Sequence, residues 1–349
     1  MKHTCAWWTR TKPGAGTAGV TSSPPRLRAR SIRGGMGVFR TDRRGFLEAC
    51  LLGTGVTGRL AWGRVATDRA PEIPDRHQLS SEIVIAMVDG KEVFLDPGTP
   101  FCPFGHLAWQ HNSTKGIRQT QDGNTVVAQT PGADYKEAVS KRVARLALSD
   151  DGTAKGKIGI AWAGEEALVH RLSGLKTDAP GRKKELEDEL KAVLPAGAIV
   201  QLETSNGWDD SDLQLTANFT VEIPGYASNA GKRLMVPRDL FHTRSRTPFA
   251  HGDRKNPVYF SYPFYSADET TVTYPEALHL ESSPDSQPVQ TDFSFYRMRH
   301  TTGGNSVTVN RDFAIGGIGF QATEYANLRK FYDAVTSGDS EPLVLTAAK

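Results

Sequence analysis

Three side chains close together in sequence could do acid–base or nucleophilic chemistry: Asp96, Cys102 and His106. A carboxylate beside an imidazole orients it and supports its positive charge, and a thiol beside that imidazole becomes a nucleophile. Cys102, His106 and His111 are also candidate metal ligands, but their spacing fits no zinc pattern and no second ligand pair follows. The favoured role for this Pro/Gly-rich stretch is a loop packing Phe101, Phe104 and Trp109.

Asp96 is positioned by a predicted hairpin. Ile83 to Val88 is an apolar run, Asp89-Gly90 follows, and Val93-Phe94-Leu95 returns. An Asp-Gly between two β-rich runs favours a tight turn because Gly adopts φ > 0 cheaply. With that turn, Val88 pairs with Lys91 and Asp96 falls opposite Ile83. Ser81 lies two residues further along on the same face, since strand side chains alternate.

Leu95-Asp96-Pro97 after such a hairpin resembles the end of a transglutaminase-like core, the papain-related Cys-His-Asp fold. The continuation Gly98 to Gly105 (GTPFCPFG) and Trp109 is similar to a bacterial branch of secreted proteins. In these, a transglutaminase-like core lies between β-rich domains of unknown function. The likeness extends through Pro224 to Val236 (PGYASNAGKRLMV) and covers roughly residues 65–349. The resemblance implies that Asp96 holds the triad Asp position and Ser81 the His position, where a serine cannot act as general base. His77 is a poor substitute, lying roughly 20 Å from Ile83 along an extended strand. The family nucleophile, a Cys in a Gly-x-Cys context at a helix start, is matched by neither Cys5 nor Cys50. Cys50 (RGFLEACLL) sits past the nucleophile position. The chain therefore reads as the C-terminal part of such a protein, with Asp96 a vestigial catalytic position.

The chain has 349 residues and 38% hydrophobic content, enough for two domains. No stretch reaches the run of about 18 apolar residues that a membrane span needs. Three cysteines exclude a disulfide scaffold. Cys50 and Cys102 read as two separate thiols, with pairing as the alternative in an exported protein. Of the 42 Lys/Arg and 39 Asp/Glu, residues 1–44 hold ten and one, giving +9. The remaining 32 and 38 give −6, an acidic body that argues against nucleic acid as partner.

Residues 1–44 are expected to be a basic, unfolded leader. Two readings stand for Thr41 to Ala49. Arg43-Arg44 before Phe46-Leu47 resembles a twin-arginine export signal, with Met36 as a candidate start, although Arg59 interrupts the apolar stretch. The same residues resemble the family's "RGFEA" strand. Both are compatible with a periplasmic or extracellular protein; a spurious leader would leave it cytoplasmic.

Residues 45–130 are expected to form the partial core, and 131–349 a β-rich domain with helices near 182–194 and 323–337. A short helix is expected over Glu165 to Leu172. Arg142 to Leu148 and Ile158 to Trp162 alternate around an Asp151-Gly152 turn. Leu213 to Ile223 alternates best, and Val307, Val309, Arg311, Phe313 and Ile315 share a face. In the helices, Glu187 and Lys191 are spaced as an i,i+4 pair and Gly338 suits a C′ position. The fold class is α+β, mostly β: a transglutaminase-like remnant followed by an antiparallel, β-sandwich-like domain with a few helices. Apolar hairpin residues Ile83, Ile85, Val93 and Leu95 are expected to be partly exposed.

His242 and His251 flank a basic loop (Arg244, Arg246, Arg254, Lys255), read as a solvated loop with anion binding as the alternative. No phosphate loop or dinucleotide fingerprint is present, and no cofactor is expected. Asn112 and Asn218 begin sequons, the latter inside the best strand. Two functions follow. The favoured one is a non-catalytic exported module binding an unidentified protein or cell-envelope polymer. The alternative is a residual cysteine enzyme acting on peptide amides, using Cys50 or Cys102 with His77 or His106 beside Asp96.

Overall fold

The computed structural model describes residues 58–64, 81–88, 90–119, 124–244, 248–284 and 288–347. Cys5, Arg43-Arg44, Cys50, His77, Asp89 and Arg246 lie outside them. The chain divides into two compact units, Met1–Gly132 and Ala133–Lys349.

The first unit carries β1 (Gly58–Arg64), β2 (Ser81–Val88), β3 (Lys91–Leu95), β4 (Lys115–Gln119) and β5 (Thr125–Gln129). They form an antiparallel sheet in the order β3-β2-β1-β4-β5. The hairpin register is Val84↔Leu95 and Val88↔Lys91, which carries Asp96 to the level of Ile83. Gly90 turns the chain at φ +76°. Ile83, Val84, Ile85 and Ala86 are all buried, so β2 is covered on both faces. Ile83 and Ile85 cluster with Leu107 and the half-buried Phe94. The expected exposure of Ile83 and Ile85 is thus corrected: the 96–114 loop supplies Leu107 to cover them.

The second unit is mostly β. Its strands are β6 (Ala138–Leu148), β7 (Ala154–Gly164), β8 (Ile199–Asn206), β9 (Leu215–Ile223), β10 (Ser228–Ala230), β11 (Arg233–Pro237), β12 (Val258–Tyr259), β13 (Phe264–Thr273), β14 (Leu278–Ser282), β15 (Val289–Gln290), β16 (Ser294–Gly303), β17 (Ser306–Ile315), β18 (Gly319–Phe320) and β19 (Pro342–Ala347). Its helices are α1 (Glu165–Gly174), α2 (Ala179–Val193) and α3 (Tyr325–Ser340). An eight-stranded sheet runs β15-β16-β17-β13-β6-β7-β9-β8, and a four-stranded one β10-β11-β19-β14. Apolar side chains of both sheets and all three helices share one core.

The large sheet is mixed rather than antiparallel throughout. β13 lies parallel to β6, with Tyr265↔Val139 to Thr273↔Ala147 in register. Parallel neighbours need a long crossover, and the chain between β6 and β13 provides one. The sequence shows each strand's period but not its neighbour. The Asp151-Gly152 turn holds, with Gly152 at φ +82°. β9 alternates buried and exposed residues from Leu215 to Ile223, but Leu213 is exposed and precedes the strand.

Asp178 caps α2 by accepting the Gly181 N–H at 2.8 Å, and a proline sits in its first turn, where no intrahelical donor is lost. Glu187 does not pair with Lys191. Its carboxylate accepts the Leu202 N–H at 2.8 Å and faces Lys183 at 3.8 Å. Gly338 is not past the end of α3 but inside it and buried. A Cβ there would meet Tyr296 Oη at 2.5 Å, so the residue is glycine to admit that ring.

Candidate functional site

Asp96 ends the β2–β3 hairpin, where Pro97 stops further ladder pairing. Its side chain is wholly enclosed. Four hydrogen bonds converge on it: from Thr99 N–H at 3.2 Å, Thr99 Oγ1 at 2.9 Å, Ala108 N–H at 3.3 Å and His111 Nδ1 at 2.6 Å. Burial alone would raise the carboxyl's pKa. The bond and charge of His111, with Thr99 and Ala108, outweigh burial and hold it below the usual carboxylate value. The carboxylate can only accept, so Nδ1 carries the proton. Nε2 has no hydrogen bond among the described residues, and the ring is 15% exposed.

His111 ends a one-turn 3₁₀ segment, Trp109–His111. Its carbonyl accepts Thr130 Oγ1 at 2.6 Å, and the same hydroxyl accepts the Thr114 N–H at 2.8 Å. Asn112 Nδ2 donates to the Leu107 carbonyl at 3.0 Å. The loop carries backbone strain at Phe101 (φ +60°), between the two partners, and at Ser113 (φ +52°), just after His111. A carboxylate holding Nδ1 while Nε2 stays open is the geometry by which an Asp orients a histidine base.

Sequence reasoning assigned Asp96 a role but missed this partner, placing His111 among metal candidates instead. Cys102, His106 and His111 do not converge as a ligand set; among the described residues one such group is found, elsewhere. The Cys102 thiol is buried and donates to the His106 carbonyl at 3.3 Å. Ser81 opens β2, half-buried, and no hydrogen bond joins it to Asp96.

The other group is Asp239, His242 and Asp268. His242 thus faces carboxylates rather than an anion loop, while Arg244, Arg254 and Lys255 are exposed. His242 Nδ1 lies 2.6 Å from Asp239 Oδ2, and its Nε2 lies 3.2 Å from Arg142 Nη2. Arg142 clasps Asp268 at 2.6 and 2.8 Å, and Arg311 clasps Asp339 at 2.8 and 2.9 Å. Arg311 also approaches Asp268 at 3.7 Å and Asp239 at 3.8 Å. Burial pushes Asp239 up, but His242, Arg311 and Arg142 bring it below its ordinary value. Burial pushes the Arg311 guanidinium down, and its three aspartates raise it overall. Two arginines already neutralise this group, so a metal ion would have to displace them. The cluster joins β6, β13, β17, α3 and the segment after β11 as a structural charge network.

The chain is an α+β, mostly-β protein with a large mixed sheet and three described helices. Residues 232–345, which include all of that network except Arg142, match the family model of a domain of unknown function with solved structure, DUF3858. A crystal structure of a candidate protease from Parabacteroides distasonis is similar at 14% identity and a TM-score of 0.41. That similarity covers 86% of this chain and 42% of the other. No curated protein matches the chain.

Proposed function

We propose that this chain is a non-catalytic, exported module that binds a protein or cell-envelope polymer. The observation that supports this is the use made of Asp96. Each of its four hydrogen bonds goes to its own loop, between Thr99 and His111, so the carboxylate organises a rigid loop. Ser81 at the position the resemblance gives to histidine, and the enclosed Cys102 thiol, point the same way.

One observation favours a second reading, a cysteine-dependent enzyme acting on peptide amides: His111 is oriented through Nδ1 with Nε2 open. The deciding experiment incubates the full chain with a glutaminyl peptide and a primary amine, and separately with a peptide-amide substrate. We expect neither transamidation nor hydrolysis. Turnover abolished by His111→Gln or Cys102→Ala would overturn the proposal. Export is checked by fractionating the source cells; protein confined to the cytoplasm would remove that part.

A further inference from the structure

We propose that β5 is a self-pairing edge, through which two copies of the chain associate by antiparallel β5–β5 pairing about a two-fold axis at Val127. The inference does not depend on whether Asp96 and His111 do chemistry.

A sheet edge offers unpaired N–H and C=O groups to any other strand, and proteins blunt their edges with charge, proline, bulges or short length. The other edges among the described residues carry such devices, and β12 and β18, which pair only with each other, are two residues long. β3 begins with Lys91-Glu92, and Glu92 is ion-paired with Arg118. β8 is bulged between Leu202 and Thr204, at Glu203. β14 is bulged between Leu280 and Ser282 and carries His279 and Glu281. β10 spans three residues and β15 two.

β5 carries none of them. Thr125-Val126-Val127-Ala128-Gln129 has no charge and no proline. It pairs with β4 in unbroken register, Lys115↔Gln129 to Gln119↔Thr125, and with no further strand among the described residues. Val126 is 39% and Val127 60% exposed, on opposite faces of the sheet.

The occupant follows from charge and shape. Paired antiparallel about Val127, the strand sets Val127 against Val127, Val126 against Ala128 and Thr125 against Gln129. Self-pairing therefore opposes no like charges and brings β-branched side chains together, the favourable cross-strand pairing. Two five-stranded sheets would become one of ten. Five residues bury little area, so the dimer should be weak and concentration-dependent.

Sedimentation velocity of the full chain, from about 1 μM to about 1 mM, tests this. A monomer–dimer equilibrium is expected for the wild type. Val127→Lys and Val127→Glu should each be monomeric, with circular dichroism unchanged because the site is exposed, and an equimolar mixture of the two should dimerise again. Independently of those variants, Val127→Cys should form a disulfide-linked dimer on mild oxidation where the wild type does not. A monomeric wild type, a dimer that survives Val127→Lys, or a Lys/Glu mixture that stays monomeric overturns the proposal. If both charged variants unfold, the absence of a Val127→Cys cross-link does so instead.

Discussion

His111 Nδ1 lies 2.6 Å from Asp96 Oδ2, fifteen residues apart in sequence, and the pair closes the loop that follows the β2–β3 hairpin. The carboxylate has no exposure to water and the ring little. Removing either partner therefore strands a buried polar group.

Asp96→Ala should cost about 3 kcal/mol, because it leaves His111, Thr99 and the Ala108 N–H without an acceptor. Asp96→Asn should cost less, since an amide oxygen at the Oδ2 position still accepts from the Ala108 N–H, Thr99 Oγ1 and His111 Nδ1, and only the Thr99 N–H loses its acceptor. The sign of the pH effect follows from the lowered Asp96 pKa. Its contribution is fully present above the unfolded value of 3.8 and is lost as pH falls through the folded one. Urea unfolding of wild type and Asp96→Asn from pH 6 down to pH 3 should show the gap closing only at the acid end. A gap that stays constant would separate Asp96 from the pH dependence.

His170 on α1 gives the opposite slope. Its Nδ1 donates to the Glu166 carbonyl at 2.7 Å and its Nε2 faces the Glu189 carboxylate at 3.1 Å, so both nitrogens meet acceptors. Burial lowers its pKa, but Glu189 and the Glu166 carbonyl raise it overall above 6.5. The stabilisation is fully present below the unfolded pKa of 6.5 and lost as pH rises through the folded one. The thermal midpoint gap between wild type and His170→Gln should be widest near pH 6 and shrink towards pH 9. Glu189 is half-exposed, so the effect is small. A gap widening with pH would mean that the imidazolium is not the stabilising form.

Gly338→Ala should cost about 1–3 kcal/mol by overpacking against Tyr296. Tyr296 Oη also donates to Asp339 Oδ1 at 3.0 Å, so displacing the ring disturbs the charge network. Tyr296→Phe removes the atom at 2.5 Å and should recover part of the loss in a double-mutant cycle. Strict additivity of the two substitutions would show that the contact does not limit position 338.

Arg311→Met should be more damaging than any of these, about 3–5 kcal/mol, because it leaves Asp239, Asp268 and Asp339 short of cations in the core. Arg311→Lys should recover only part, lacking the fork that clasps Asp339 at two points. Millimolar zinc should leave the wild-type thermal midpoint unchanged, since Arg142 and Arg311 occupy the carboxylates. A zinc-dependent rise would show that Asp239, His242 and Asp268 yield to a metal.

Features set by near neighbours were legible in the sequence. The hairpin register at Gly90, the alternation of β9, the shared face of Val307 to Ile315 and the three helices follow from local period and turn chemistry, each settled within a few residues. Arg311 on an apolar face was visible, but its partners Asp239, Asp268 and Asp339 come from three other segments. Likewise the sequence marked Asp96 by its place at a strand end, while His111 reached it only because the loop folds back over Leu107. The parallel β6–β13 contact and the packing of Gly338 against Tyr296 belong to the same class. Burial decides them: a charge or a glycine in the core takes its meaning from whichever distant groups the fold brings within a few ångströms, and no local pattern encodes that choice.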